Sequence, residues 1–230
     1  MNSYKKNAIV IGALFIITML AGMVDAYFVA PELNYPLSYI HQIEHKILLG
    51  TFSVLIMAIG IVGIAIAFYP VVKKESEPIA LTYVIFRAIE CILLIVGPLC
   101  YLFLIALGRE YVNLEISEPS FFETLAVLAV KVKYYSYQIA MIVLGLGSLF
   151  LCYSLYKSKL VPRFLSIWGL FGYAMLLLSA ILDISGIVDT ATGSGAILYI
   201  PGGLWEIIVF PLWLFVKGFN LSFINSDIPK

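Results

Sequence analysis

Tyr83-Val-Ile-Phe-Arg87-Ala-Ile-Glu90-Cys-Ile-Leu-Leu-Ile-Val-Gly97-Pro98 sets an arginine and a glutamate one helical turn apart inside a long apolar run. Read as part of a membrane-spanning helix, the run carries its two charges to a depth where each is expensive unless paired. Other helices must then bring the missing partners to it.

Composition supports the membrane reading. Of 230 residues, 62% are hydrophobic and 12% are charged, with mean hydropathy +1.03. A water-soluble domain carries about 25% charged residues, so this chain could not cover its surface in water and lipid must be its solvent. At about 20 residues per span plus connections, the length accommodates about six helices. The expectation is an all-α polytopic bundle forming a single integral membrane domain over 1–230, with spans near 8–29, 47–69, 79–107, 134–156, 164–188 and 198–216. A formal net charge of zero removes any global attraction to nucleic acid.

Sidedness follows from the basic residues that flank the spans. Lys5, Lys6, Lys73, Lys74, Lys157, Lys159, Arg163, Lys217 and Lys230 fall on one side, nine in all, against four on the other: Lys46, Arg109, Lys131 and Lys133. Both termini are therefore expected in the cytoplasm. Tyr27, Tyr69, Tyr101, Tyr134, Tyr135 and Tyr156 near the span ends read as an interfacial belt. The first run is too long for the apolar core of a signal peptide and reads as a retained helix. Cys91, Cys100 and Cys152 lie within apolar spans without metal or redox spacing and read as packing residues.

Between the first two spans, Leu37, Ile40, Ile43 and Ile47 recur on one face and His41, Glu44 and His45 on another, the pattern of a short helix lying at the interface. Phe121, Phe122, Leu125, Leu128 and Val132 read as the apolar side of an amphipathic lead-in to the fourth span. The connection ahead of it is acidic, with Glu110, Glu115 and Glu118. Gly60 and Gly63 are spaced to let helices approach closely in lipid.

Depth arithmetic selects the partners of the central charges. At ~1.5 Å per residue from Ile79, Arg87 lies ~12 Å and Glu90 ~16 Å inside the membrane; counted from the other side, Glu206 lies ~12 Å from Leu198 and ~18 Å from the cytoplasmic face. Arg87 and Glu90 share a helical face, and Glu206 lies at their depth. The expected centre is Arg87 bridging Glu90 and Glu206. It is either an ion pair that locks the third and sixth helices or a site for a small polar ligand, an ion or a proton, because intramembrane ionisable groups mark such pathways. One acid in excess of the base suits the second. Divided at 108–133, the chain also gives two three-helix halves of opposite topology, with Glu90 followed by Pro98 and Glu206 by Pro211, a weak hint of the inverted repeats of transporters.

A competing site is His41-Gln-Ile-Glu44-His45, which fits H-x-x-E-H. Zinc held by His41 and His45 needs a further ligand, and Asp25 and Asp183 are predicted near the same outer boundary. That combination would suit an intramembrane metal-dependent hydrolase. The plainer reading is a solvated histidine face, with both aspartates solvated at helix ends.

Three motifs complete the reading: Phe86-Arg-Ala-Ile-Glu90; Tyr156-Lys-Ser-Lys-Leu-Val-Pro-Arg163 running into Leu165-Ser-Ile-Trp-Gly-Leu-Phe-Gly172; and Leu204-Trp-Glu-Ile with Leu212-Trp-Leu-Phe-Val-Lys-Gly-Phe-Asn220. Together they resemble the bacterial integral membrane proteins grouped as the domain of unknown function DUF4386, over about residues 5 to 220. The resemblance implies a polytopic helical bundle with no assigned activity, and Arg87, Glu90 and Glu206 fall on its motif positions. The His41 and His45 pair does not. The resulting expectation is a multi-pass protein of the bacterial cytoplasmic (inner) membrane, with no assigned catalytic residue and no cofactor other than zinc in the hydrolase alternative. Its expected partners are the bilayer, a small polar ligand, ion or proton, and a second copy of the chain. A membrane scaffold without a small ligand is the third reading.

Overall fold

The computed structural model describes residues 3–34, 36–113, 119–190 and 193–220. Glu115, Glu118 and Lys230 lie outside the described residues. Every regular element among the described residues is helical: α1 (Ser3–Val24), α2 (Leu37–Ile40), α3 (Glu44–Val72), α4 (Glu77–Asn113), α5 (Pro119–Ser158), α6 (Arg163–Ile184), α7 (Ile200–Leu204) and α8 (Phe210–Val216). With the short 3-10 and π segments that join them, they form six helices long and apolar enough to cross a membrane: Tyr4–Leu33, Leu37–Val72, Glu77–Val112, Ser120–Ser158, Arg163–Ile184 and Gly195–Val216.

The turns have local causes. After α3, Ser76 follows a bend closed by the Glu75 and Ser76 amides on Val72 O, and its hydroxyl accepts from Ile79 N–H at the start of α4. Gly186 ends α6 with φ +72°; its N–H reaches Asp183 O and that of Ile187 reaches Leu182 O, the paired bonds of a left-handed helix stop.

The last span is irregular. Pro211 cannot donate and its ring crowds the preceding turn, and ahead of it the Phe210 N–H bonds Trp205 O, five residues back, giving a π segment over Trp205–Val209. The end of α1 repeats the arrangement. Ala30, just before Pro31, bonds Asp25 O and closes a π segment over Asp25–Val29. Both π segments carry an acid, Asp25 and Glu206. By contrast α4 stays helical through Pro98. The interruptions expected at matching places in two inverted halves therefore do not correspond.

Helices are longer than the apolar runs suggest. The 37 residues of α4 and 40 of α5 span roughly 55 and 60 Å against a ~30 Å hydrocarbon core. The segment beginning at Leu37 is not a separate interfacial helix: α2 passes through a 3-10 turn at His41–Ile43 directly into α3. Leu37, Ile40, Ile43 and Ile47 pack with Val29, Tyr101, Leu104 and Ala129 in a second apolar core at that end of the bundle. The lead-in to the fourth span likewise is part of unbroken α5. It presents Phe122, Leu125, Ala126 and Ala129 to this core and leaves Phe121, Leu128 and Val132 exposed, because the packed face is the one turned to α4 and α2 rather than the most apolar one.

The main core lies between all six spans. Phe15, Phe68, Tyr83, Tyr173, Trp205 and Phe210 interlock there, with Trp205 stacked on Phe210 at 4.1 Å and edge-on to Tyr173 at 5.6 Å. Small residues admit this packing. A Cβ on Gly172 would lie 2.8 Å from the Gly202 Cα, so α6 and α7 touch backbone to backbone. Gly60 meets Thr18 and Gly63 meets Leu14 across the α1–α3 contact.

Candidate functional site

The charges carried into the bundle by α4 meet others there. Arg87 is 3% exposed, Glu90 2% and Glu206 9%. The Arg87 Nη1 donates to both Glu90 oxygens, at 2.9 and 3.2 Å, as the i, i+3 spacing allows. Its Nε donates to the Tyr83 hydroxyl at 2.9 Å, one turn earlier on the same face. Its Nη2 points to Glu206 Oε1 at 3.7 Å, close enough for an ion pair but making no hydrogen bond. Glu206 Oε1 accepts instead from the Tyr173 hydroxyl of α6 at 2.5 Å. Three elements thus converge: α4 with Tyr83, Arg87 and Glu90; α6 with Tyr173; and the π segment with Glu206.

The aromatic core closes over this centre. Tyr83 and Tyr173 belong to both, offering a ring to the apolar side and a hydroxyl to the charges. Trp205, adjacent to Glu206, is fixed by donating its indole N–H to Leu165 O at 2.8 Å. Tyr173 was not singled out from sequence; no local pattern connects it to Glu206. Tyr83 had a signal, since it stands four residues before Arg87 on one helical face.

A second set of polar groups sits towards the end of the bundle bearing the second core. Asp25 pairs with Lys133 Nζ at 3.1 Å and accepts a short hydrogen bond from Tyr101. Asp183 accepts from the Thr190 N–H and hydroxyl, at 2.7 and 2.6 Å, and from Tyr134. Gln138 links Thr190 to Tyr199. Neither aspartate is a solvated helix end, and neither Tyr101 nor Tyr134 serves merely as an interfacial anchor. Tyr101 is wholly buried.

The structure does not bring the residues of the zinc arrangement together. His41 and His45 are exposed, Glu44 beside them is paired with Arg109 of α4, and both aspartates are held by other donors. No group of three or more His, Cys, Asp or Glu side chains could share a metal ion among the described residues. H-x-x-E-H here spans the 3-10 turn and the first two residues of α3, with both imidazoles exposed.

Residues 10–218 match the family described as "Domain of unknown function (DUF4386)". The chain belongs to that family. The match to DUF4386 takes in both the Arg87–Glu90 segment and Glu206, and so the whole central cluster, while its description assigns no activity. Neither curated proteins nor solved structures gave a match. What this DUF4386 chain does must therefore be argued from its own geometry.

Proposed function

We propose that the chain is a single multi-pass domain of the bacterial cytoplasmic membrane, with both termini in the cytoplasm, and that Arg87, Glu90 and Glu206 form a small polar site for a proton or a small cation. The charge count carries the reading: one guanidinium stands between two carboxylates in an interior almost closed to solvent. The second carboxylate has no full counter-charge, and a buried charge without one is strongly disfavoured. A proton or cation on Glu206 balances the site. The π segment that holds Glu206 supports this, since such segments recur at functional sites. Exchange with either side of the membrane then requires that the last span move away from α6.

The test is infrared difference spectroscopy on protein in liposomes, stepping pH and then sodium or potassium. A carboxyl band that responds to the step and disappears in Glu206→Gln supports the site. Difference spectra that are the same in wild type and Glu206→Gln for both steps refute it. The near-complete burial of Arg87 and Glu90 favours a second reading, in which the cluster only locks α4, α6 and the last span together. That reading expects no Glu206-dependent band in either step and loss of stability in single-charge variants.

A further inference from the structure

At the end of the bundle where α5 turns into α6, the chain forms an open cleft of about 370 Å³ lined by Lys159–Arg163, Trp213 and Lys217–Asn220. These are the residues of the two most distinctive sequence motifs, and the central cluster does not use them. We propose that this cleft is a binding site for a phosphate anion, borne by a phospholipid headgroup or free.

The lining is one-signed. Lys159, Arg163 and Lys217 are among the lining residues and no acidic residue lines the cleft. Among the described residues none of the three forms an ion pair. Arg163 rests over the Tyr156 ring at 5.3 Å, which orients a planar guanidinium suited to phosphate oxygens. The indole N–H of Trp213, another lining residue, is buried without a hydrogen-bond acceptor, although buried donors are nearly always satisfied. The cleft also takes in the start of the 22-residue α6, where Pro162 supplies no side-chain cap. An uncapped helix start presents amide N–H groups that favour an anion.

The walls are held in place before any ligand arrives. Asn220 N–H bonds Leu160 O at 2.8 Å and clips the segment after α8 to the α5–α6 turn. Lys159 has φ +56°, a left-handed conformation in which glycine would be at ease. A lysine there accepts backbone strain and brings an ammonium group to the cleft. Fold stability alone would favour glycine; anion binding favours lysine. The two demands can be separated by one substitution.

Purified protein is reconstituted in nanodiscs of phosphatidylcholine with a minor share of phosphatidylglycerol, and retained lipid is counted by native mass spectrometry. Inorganic phosphate is added in a parallel arm. Wild type is expected to retain phosphatidylglycerol over phosphatidylcholine. Arg163→Gln and Lys217→Gln should each weaken this roughly fivefold, and Lys159→Gly should weaken it similarly while melting no lower than wild type. Phosphate that displaces the lipid identifies the free anion as a ligand; lipid retention unaffected by phosphate identifies the headgroup. The proposal is overturned if wild type shows no preference and binds no phosphate. It is also overturned if Lys73→Gln with Lys74→Gln, on another turn, costs as much binding as Lys217→Gln, since generic surface charge would then be responsible.

Discussion

Replacing Arg87 by methionine removes the only guanidinium in the central cluster while keeping a long unbranched side chain. Two hydrogen bonds to Glu90 and one to Tyr83 disappear, and Glu90, 2% exposed, is left facing Glu206 without an intervening cation. Breaking a buried pair from one side costs about 3–5 kcal/mol. At about 2–4 °C per kcal/mol for a chain of this size, the melting midpoint should fall by roughly 10 °C. The measurement is a thermal melt in detergent, followed by the fraction of protein eluting as a monodisperse peak. Arg87→Met combined with Glu90→Gln and Glu206→Gln removes all three charges and should recover most of the loss, because amides are far cheaper to bury than carboxylates. A single variant that melts with wild type refutes the pairing. So does a triple variant that melts no higher than the single one, since the loss would then reflect shape rather than charge.

Further outcomes follow from the packing and from the Asp25–Lys133 pair. Gly172→Leu should cost about 1–3 kcal/mol in a melt, because its Cβ meets Gly202 backbone that cannot rotate away; Gly203→Ala, with nothing within 4 Å, should be neutral or stabilise by up to about 1 kcal/mol. Trp205→Ala empties the space stacked on Phe210 and should cost about 3–5 kcal/mol, with a loss below about 1 kcal/mol arguing against the interlocked core. Lys133→Met should destabilise by about 1–2 kcal/mol, between the exposed and buried cases, and Asp25→Asn by less, since the amide oxygen can still accept from Tyr101; equal losses would contradict that assignment.

The parts legible in sequence were those governed by distance along one helix. Six apolar runs announced six spans, and counting residues from span ends placed Arg87, Glu90 and Glu206 at one depth, where the structure brings them together. Contacts across the fold were not legible. Asp25 and Lys133 lie far apart in the chain, and each alone looks like a charge at a span end. Asp183 reads as a solvated helix end in the sequence because its partner, Thr190, lies beyond a turn in an ordinary polar loop. The helices run past the apolar stretches for a related reason. Polar residues such as Lys131 and Lys133 signal the edge of the hydrocarbon, but α5 continues past them because its far end has α2 and α4 to pack on.

The length of α5 has a mechanical consequence. It runs as one piece from Pro119 to Ser158, without an internal proline. Gly147, well down its length, is pressed against Phe86, the neighbour of Arg87. Roughly 40 Å of stiff rod separates that contact from the tip at Pro119. A torque applied at the tip, by an antibody fragment gripping the exposed Phe121 ring there, is delivered at the arginine's doorstep rather than dissipated in a loop. The Pro119 end is therefore a remote handle on the central cluster.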